Sequence, residues 1–383
     1  MTSEFTSGYA PVSDPKPLMS VDSPFLLNDA RHRIETLLAL TIEMGGSDLH
    51  LTAGIAPCVR VNGALRPLDG PKLTPEETES MLQAIVNEKQ WARFLDTQEL
   101  DTAYAIPNVS RFRVNVYRQR GAVGAALRSI PHRIRPLAEL GLPDQVENFA
   151  YLPRGLVLVT GPTGSGKSTT LASILDVANK TREAHIMTIE DPIEYLHSHG
   201  KSVVNQREVG ADTADFAVAL KHVLRQDPDI ILVGELRDLE TTSVAITAAE
   251  TGHLVLATLH TQSAAQTIDR LIDIFPPSQQ QQIRAQLANC LQGVVTQALA
   301  PRKDGTGRAI ICEIMMATSA IRNLIREAKV HQIPSVLQSS GEAGMISFDQ
   351  NLAERYGAQI ISKNTALELA HDPNEFKRLA RIQ

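Results

Sequence analysis

At 383 residues the chain is longer than a single hydrophobic core usually supports, so more than one domain is expected. An apolar content of 43%, charged residues at 21% and a net charge of −6 describe an ordinary globular protein and argue against generic binding to nucleic acid or anionic lipid. Cys58, Cys290 and Cys312 lie far apart with no CxxC pair, so neither a disulfide framework nor a zinc cluster is readable, and runs such as "LVLVTGP" are too short to span a bilayer.

Residues 1–27, rich in proline and serine and lacking hydrophobic periodicity, read as a disordered tail. No basic stretch followed by an apolar one opens the chain, so a cytoplasmic location is expected. Ile34, Leu37, Leu38 and Ile42 recur at helical spacing, and Gly45 and Gly46 stop that helix. Short strands "SDLHL" and "CVRVNGALRPL" follow, the second folding at Asn62-Gly63 as a type I′ hairpin. A helix from about Pro75 to Leu95 starts on Thr74 as N-cap. "RFRVNVYRQR" and "GAVGAALRSI" read as a further strand pair, with Arg111, Arg113 and Asn115 on one face. Residues 28–131 are thus predicted to form a small α+β domain. "PHRIRPLAELGLP" carries three prolines in thirteen residues and marks 132–153 as a linker.

After Arg154 the texture changes. "GLVLVT", "HIMTIE", "DIILVGE" and "HLVLATLH" are short apolar runs between helical stretches, the pattern of a parallel sheet buried on both faces. An α/β nucleotide-binding core is expected over 154–277. After Gln279 the pattern turns mostly helical, giving a helical region over 278–372 and a tail over 373–383.

The stretch "GPTGSGKST" carries the clearest chemistry. Gly161, Pro162, Thr163, Gly164, Ser165, Gly166, Lys167, Ser168 and Thr169 follow the strand "LVLV" and open a helix, the context a phosphate loop requires. Glycines let backbone N–H groups turn inward to meet phosphate oxygens, and the helix N-terminus adds positive potential. Lys167 would reach the β- and γ-phosphates of ATP and Ser168 would ligate Mg²⁺. In "DPDIILVGELRD" a buried strand delivers Glu235 to the carboxyl end of the sheet, where it can polarise water or hold Mg²⁺ through water. The competing reading is a surface carboxylate paired with Arg237. "TIEDPIEY" places Glu190, Asp191 and Glu194 on the same edge, for metal-water or arginine positioning or simply as an acidic helix start. "ETGHLVLATLHT" sets His253 and His260 at opposite ends of a strand; His260 either senses a γ-phosphate or fills a structural role.

Those four stretches, in that order, resemble the Walker A, Asp box, atypical Walker B and His box of the secretion ATPase superfamily, which includes motors of type II secretion and type IV pili. "GGSDLHLTAG" and "AIRNLIRE" (Ala320 to Glu327) are similar to segments of its pilus-retraction branch, and the resemblance extends over about residues 28–372. It implies a PAS-like N-terminal domain, a RecA-like P-loop ATPase domain and a homohexamer bound to ATP and Mg²⁺. It further implies that arginines of the N-terminal domain, here Arg111, Arg113 and Arg128, swing onto the nucleotide, whereas sheet-face arginines can equally serve only solvation. The chain lacks the four-cysteine module and extra N-terminal domain of extension and secretion motors, which favours retraction. On a helix, Ile321, Leu324, Ile325 and Ala328 form an apolar stripe, leaving Arg322, Asn323, Arg326 and Glu327 as a polar face. By resemblance that face couples ATP chemistry to work on an inner-membrane pilus platform protein, alongside related pilus ATPases and with membrane contact only through protein partners. An assembly or secretion motor, or a nucleotide-gated scaffold without turnover, are the competing functions. Nucleic acid is not an expected partner, since aromatic residues amount to only 4%.

Overall fold

The chain is described from a computed structural model over residues 30–61, 63–107, 109–130 and 133–382. The expected tail over 1–27, Asn62 of the hairpin turn and the domain end at Pro131 lie outside the described residues. The chain divides into two compact units between Ser129 and Ile130.

In the first unit α1 (Ala30–Glu43) buries Ile34, Leu37 and Leu38 along one stripe. There follow β1 (Asp48–Leu51), β2 (Cys58–Val61), β3 (Ala64–Pro67), α2 (Pro75–Gln83), α3 (Glu88–Thr97), β4 (Glu99–Ile106), β5 (Ser110–Gln119) and β6 (Ala122–Ile130). The single helix expected over 75–95 is two helices. Asn87 accepts from the Gln90 N–H while Gln90 reaches back to the Asn87 N–H, a capping box that starts a new helix in mid-stretch. The strands form one sheet in the order β3-β2-β1-β6-β5-β4. Phe112, Val114 and Val116 of β5 and Leu127 of β6 share a core with Ile34 and Leu38. Period-two alternation therefore sends Arg111, Arg113 and Arg128 to the opposite face.

The second unit begins earlier than expected. In place of a linker, α4 (Leu137–Leu140) and a 3₁₀ segment (Asp144–Tyr151) bury Leu137, Val146 and Phe149 in the core beneath the sheet. Pro136 and Pro143 stand at the N-caps of these turns, where a fixed φ starts a helix instead of loosening the chain. Next come β7 (Gly155–Thr160), α5 (Lys167–Thr181), β8 (His185–Glu190), β9 (Val203–Glu208), α6 (Phe216–Val223), β10 (Ile230–Val233), α7 (Leu239–Thr251), β11 (Leu254–Leu259), α8 (Ala264–Asp273) and α9 (Pro277–Cys290). The region expected to be mostly helical then supplies two strands, β12 (Leu291–Pro301) and β13 (Arg308–Met316), before α10 (Ser319–Arg326), α11 (Ile333–Ser339), α12 (Phe348–Gly357), α13 (Lys363–Leu369) and α14 (Pro373–Leu379). The expected tail over 373–383 thus contains a helix, anchored by the fully buried Phe376.

The seven strands run in the order β13-β12-β7-β11-β10-β8-β9. All neighbouring pairs are parallel except β12–β13. Strands β7, β10 and β11 are buried throughout, with α6 to α10 packed on one face and α5 on the other. All the phosphate-facing loops therefore leave one sheet edge, the carboxyl end of the parallel strands. Among the described residues no helix is long and apolar enough to cross a membrane. The fold is a PAS-like α+β unit followed by a RecA-like P-loop unit with a helical C-terminal region.

Candidate nucleotide-binding site

The loop Gly161–Gly166 joins β7 to α5. Gly161, Gly164 and Gly166 take positive φ of 139°, 77° and 91°, a region side chains avoid. At Gly161 space forbids one as well, since a Cβ would stand 2.2 Å from the Gln297 carbonyl oxygen. Gly166 caps α5 without a side-chain bond, so the first-turn N–H groups face outward for an anion. Lys167 Nζ donates to the carbonyl oxygens of Gly161 (2.8 Å) and Pro162 (3.1 Å), drawing the loop into a ring around the ammonium. Burial pulls the Lys167 pKa below its ordinary value, and the negative charge of Glu235 offsets part of that shift. Pro162, Thr163, Gly164 and Ser168 are exposed at the mouth of the loop. Thr169 Oγ1 meets the Tyr195 hydroxyl at 2.8 Å, tying α5 to the "TIEDPIEY" segment.

Glu235 follows β10 and Gly234. Its Oε1 lies 3.2 Å from His260 Nε2 and its Oε2 2.7 Å from Arg237 Nη2. The pairing with Arg237 is therefore present, but as half of an arrangement that also gathers His260 from the end of β11. Burial pushes the Glu235 carboxyl up, and Arg237 and His260 together carry it below its ordinary value. An ionised carboxylate at this edge of the sheet suits water activation or a metal's water shell. Glu190 is placed differently. Its carboxylate accepts from Thr188 Oγ1 (2.6 Å) and Gln206 Nε2 (3.0 Å), and burial raises its pKa. It braces the loop that carries the cis Asp191–Pro192 peptide. His253 binds the Ala248 carbonyl at 3.0 Å and closes the end of α7.

In the first unit Arg128 is engaged: its Nε donates to Asp48 Oδ1 at 2.8 Å across the β1–β6 register pair. Arg113 is exposed and Arg111 half-buried on β5. In α10 the apolar stripe is shorter than expected. Ile321 and Ile325 are fully buried and Leu324 partly so, but Ala328 lies beyond the helix, exposed at φ 58°. Arg322 is not a free polar side chain. It donates to the carbonyl oxygens of Ala317 (2.8 Å), Ala288 (2.5 Å) and Asn289 (2.8 Å), closing the C-terminus of α9. Arg326 reaches Asn289 Oδ1 at 3.1 Å, and Asn323 pairs with Glu327 at 3.0 Å.

Two features escaped sequence reading. Gln297, 1% exposed on β12, binds the phosphate loop; its signal was a lone amide in the apolar run "VVTQALA". A cavity of about 640 Å³ opens beside the loop, lined by Gly166, Thr169 and Thr170 and by Leu299, Ile310 and Arg135. It continues past the first turn of α5, has apolar and cationic walls, and is large enough for a base and ribose.

A glycine-rich loop feeding a helix at the carboxyl end of a doubly covered parallel sheet, with an ionised carboxylate two strands away, defines a P-loop nucleotide-binding protein. The chain belongs to the family described as "Type II/IV secretion system protein", whose profile matches residues 111–358. It is 49% identical over 343 residues to the type IV pilus retraction ATPase PilT of Pseudomonas aeruginosa, covering 90% of this chain and 99% of that one. A twitching motility protein of Neisseria gonorrhoeae is 46% identical over 316 residues, 82% of this chain and 84% of its own. A crystal structure of the pilus retraction motor PilT with bound ADP aligns with a TM-score of 0.85 at 48% identity, covering 90% of this chain and 99% of that one.

Proposed function

We propose that this chain hydrolyses ATP to drive type IV pilus retraction, as a homohexamer at the cytoplasmic face of the inner membrane. The observation that carries the hydrolytic half is the Glu235–His260 pair, 3.2 Å apart on the same sheet edge as the phosphate loop. A scaffold that only binds nucleotide needs neither an ionised carboxylate nor a histidine at that place. Lys167 and the loop N–H groups bind the β- and γ-phosphates, and the cavity past Thr169 takes the nucleoside. Ser168 and Glu235 offer the hard oxygens that Mg²⁺ prefers. That ion, when bound, neutralises phosphate charge. Glu235 orients and deprotonates the attacking water, and His260 holds the Glu235 carboxylate while remaining able to face the γ-phosphate. Arg111, Arg113 and Arg128 are the residues we assign to supply cations for transition-state charge. The retraction half rests on likeness to the PilT and twitching motility relatives along nearly the whole chain.

Purified protein should turn over ATP with no dependence on added DNA, and should elute as a hexamer. Cells lacking it should carry surplus pili and fail to twitch. Bald cells would instead identify an assembly motor, and nucleotide binding without turnover a scaffold.

A further inference from the structure

We propose that Gln297, outside every nucleotide motif, is a positioning residue that holds the phosphate loop in its ligand-ready shape; this rests on the reading of that loop as an ATP site. Burying a primary amide is costly unless its donor and acceptor are both satisfied. Gln297 satisfies both across the junction of loop and helix. Its Nε2 donates to the Ser165 carbonyl at 2.7 Å, and its Oε1 accepts from Thr170 Oγ1 at 2.9 Å. Ser165 lies within the loop and Thr170 in the first turn of α5, so one side chain spans the junction between them. The Gln297 backbone presses on the start of the loop at Gly161. One residue earlier, Thr296 Oγ1 meets Thr160 Oγ1 at 2.9 Å at the end of β7. The loop is pinned at its start, its middle and its exit by one strand.

A glycine-rich loop has much conformational freedom to lose, and phosphate capture needs its N–H groups aimed together. Ordering the loop before the ligand arrives removes that cost from binding. This is what distinguishes a positioning role from simple core packing: the variant should lose affinity and not only stability.

The test is ADP titration of purified full-length protein, with the thermal midpoint recorded with and without saturating ADP. Gln297→Leu keeps apolar bulk and removes both bonds; Thr170→Val keeps shape and removes one. Gln297→Leu should weaken ADP binding about ten- to a hundredfold, with Thr170→Val weaker than wild type by a smaller factor. The ADP-induced rise in thermal midpoint should shrink in the same order. A variant that melts earlier without ADP yet binds ADP as tightly as wild type overturns the proposal. Should Gln297→Leu not fold, Thr170→Val decides on the same criterion. Failure of the wild-type protein to bind ADP would instead overturn the reading of the loop as an ATP site.

Discussion

His260 Nε2 stands 3.2 Å from Oε1 of Glu235, and the carboxylate's other oxygen is taken by Arg237, so each oxygen of the proposed water-activating group has a nitrogen partner. A folded pKa below the ordinary carboxylate value keeps Glu235 ionised at neutral pH. Its stabilising contribution is present above the unfolded value and fades only as pH falls through the folded one. Glu235→Gln is therefore expected to bind Mg-ATP like wild type while turnover falls by about two orders of magnitude or more. Lys167→Ala should lose nucleotide binding itself, because the phosphate charge loses its cation. Measured side by side, equal loss of binding in both variants would make Glu235 structural.

The three arginines of the first unit are not equivalent. Arg128 already answers Asp48, whose side chain is 8% exposed, so its removal takes the cation from a buried carboxylate, leaving it Ser47, and confounds chemistry with stability. Arg113 is exposed on the sheet face opposite the helices and gives the cleaner test. Arg113→Ala should lower kcat by about two orders of magnitude with little change in ATP affinity, since such cations act on transition-state charge. Loss of affinity matching the loss of kcat would place the residue in ground-state binding instead.

Much of this was legible in the sequence because each signal was local. The glycines and Lys167 of "GPTGSGKST" declare a phosphate loop within nine residues, and the unbroken run before Glu235 declares a buried strand ending at the ligand edge. What stayed hidden depended on contacts between distant segments. Gln297 lies 132 residues from Ser165, and no periodicity announces that pairing. Strand β12 escaped because its start, "LQGVV", continues an apolar helical pattern without a break, and a single Phe376 suffices to bury α14 amid charged neighbours. The prolines at 136 and 143 suggested a linker when they were helix starts; Leu137, Val146 and Phe149 were the better signal.

Glu313 on β13 supplies a pH test independent of catalysis. Its side chain accepts from the Ala264 N–H at 2.7 Å and also from the Phe348 backbone, joining the first residues of α8 and α12. Burial raises its pKa from 4.5 to about 7, with Asp349 adding to the rise. A raised carboxyl pKa means the folded state holds a proton the unfolded chain has released, so stability declines as pH climbs from about 4.5 to 7. Such a difference corresponds to about 3 kcal/mol. Glu313→Gln removes the titration, so its stability relative to wild type should improve between pH 5 and pH 8, and denaturant melts across that range measure it. Parallel pH curves for the two proteins would show that the carboxyl does not titrate there.

The last prediction concerns α10, where one short helix carries residues of two kinds. Ile321 and Ile325 are fully buried against the core that also holds Leu287 of α9, so Ile325→Ala should cost about 2–5 kcal/mol and impair folding, assembly and hydrolysis together. Arg322 belongs with them despite its charge. Its guanidinium closes the last carbonyls of α9, and Arg322→Ala leaves those groups short of a donor, at a cost of about 1–3 kcal/mol. Asn323, Arg326 and Glu327 are different: they are exposed, and their side-chain bonds are to one another, to Asn289 or to the neighbouring Lys329. Nothing in the fold depends on them, and none lies in a nucleotide motif. Arg326→Ala and Asn323→Ala should therefore leave the melting temperature, the proposed hexamer and ATP turnover near wild type while abolishing twitching, the outcome expected if these side chains are the face offered to a pilus platform. ATPase rates and motility recorded for the same variants separate the two groups. Normal twitching in Arg326→Ala and Asn323→Ala cells would mean that α10 serves only as scaffold and that force leaves the ring by another surface.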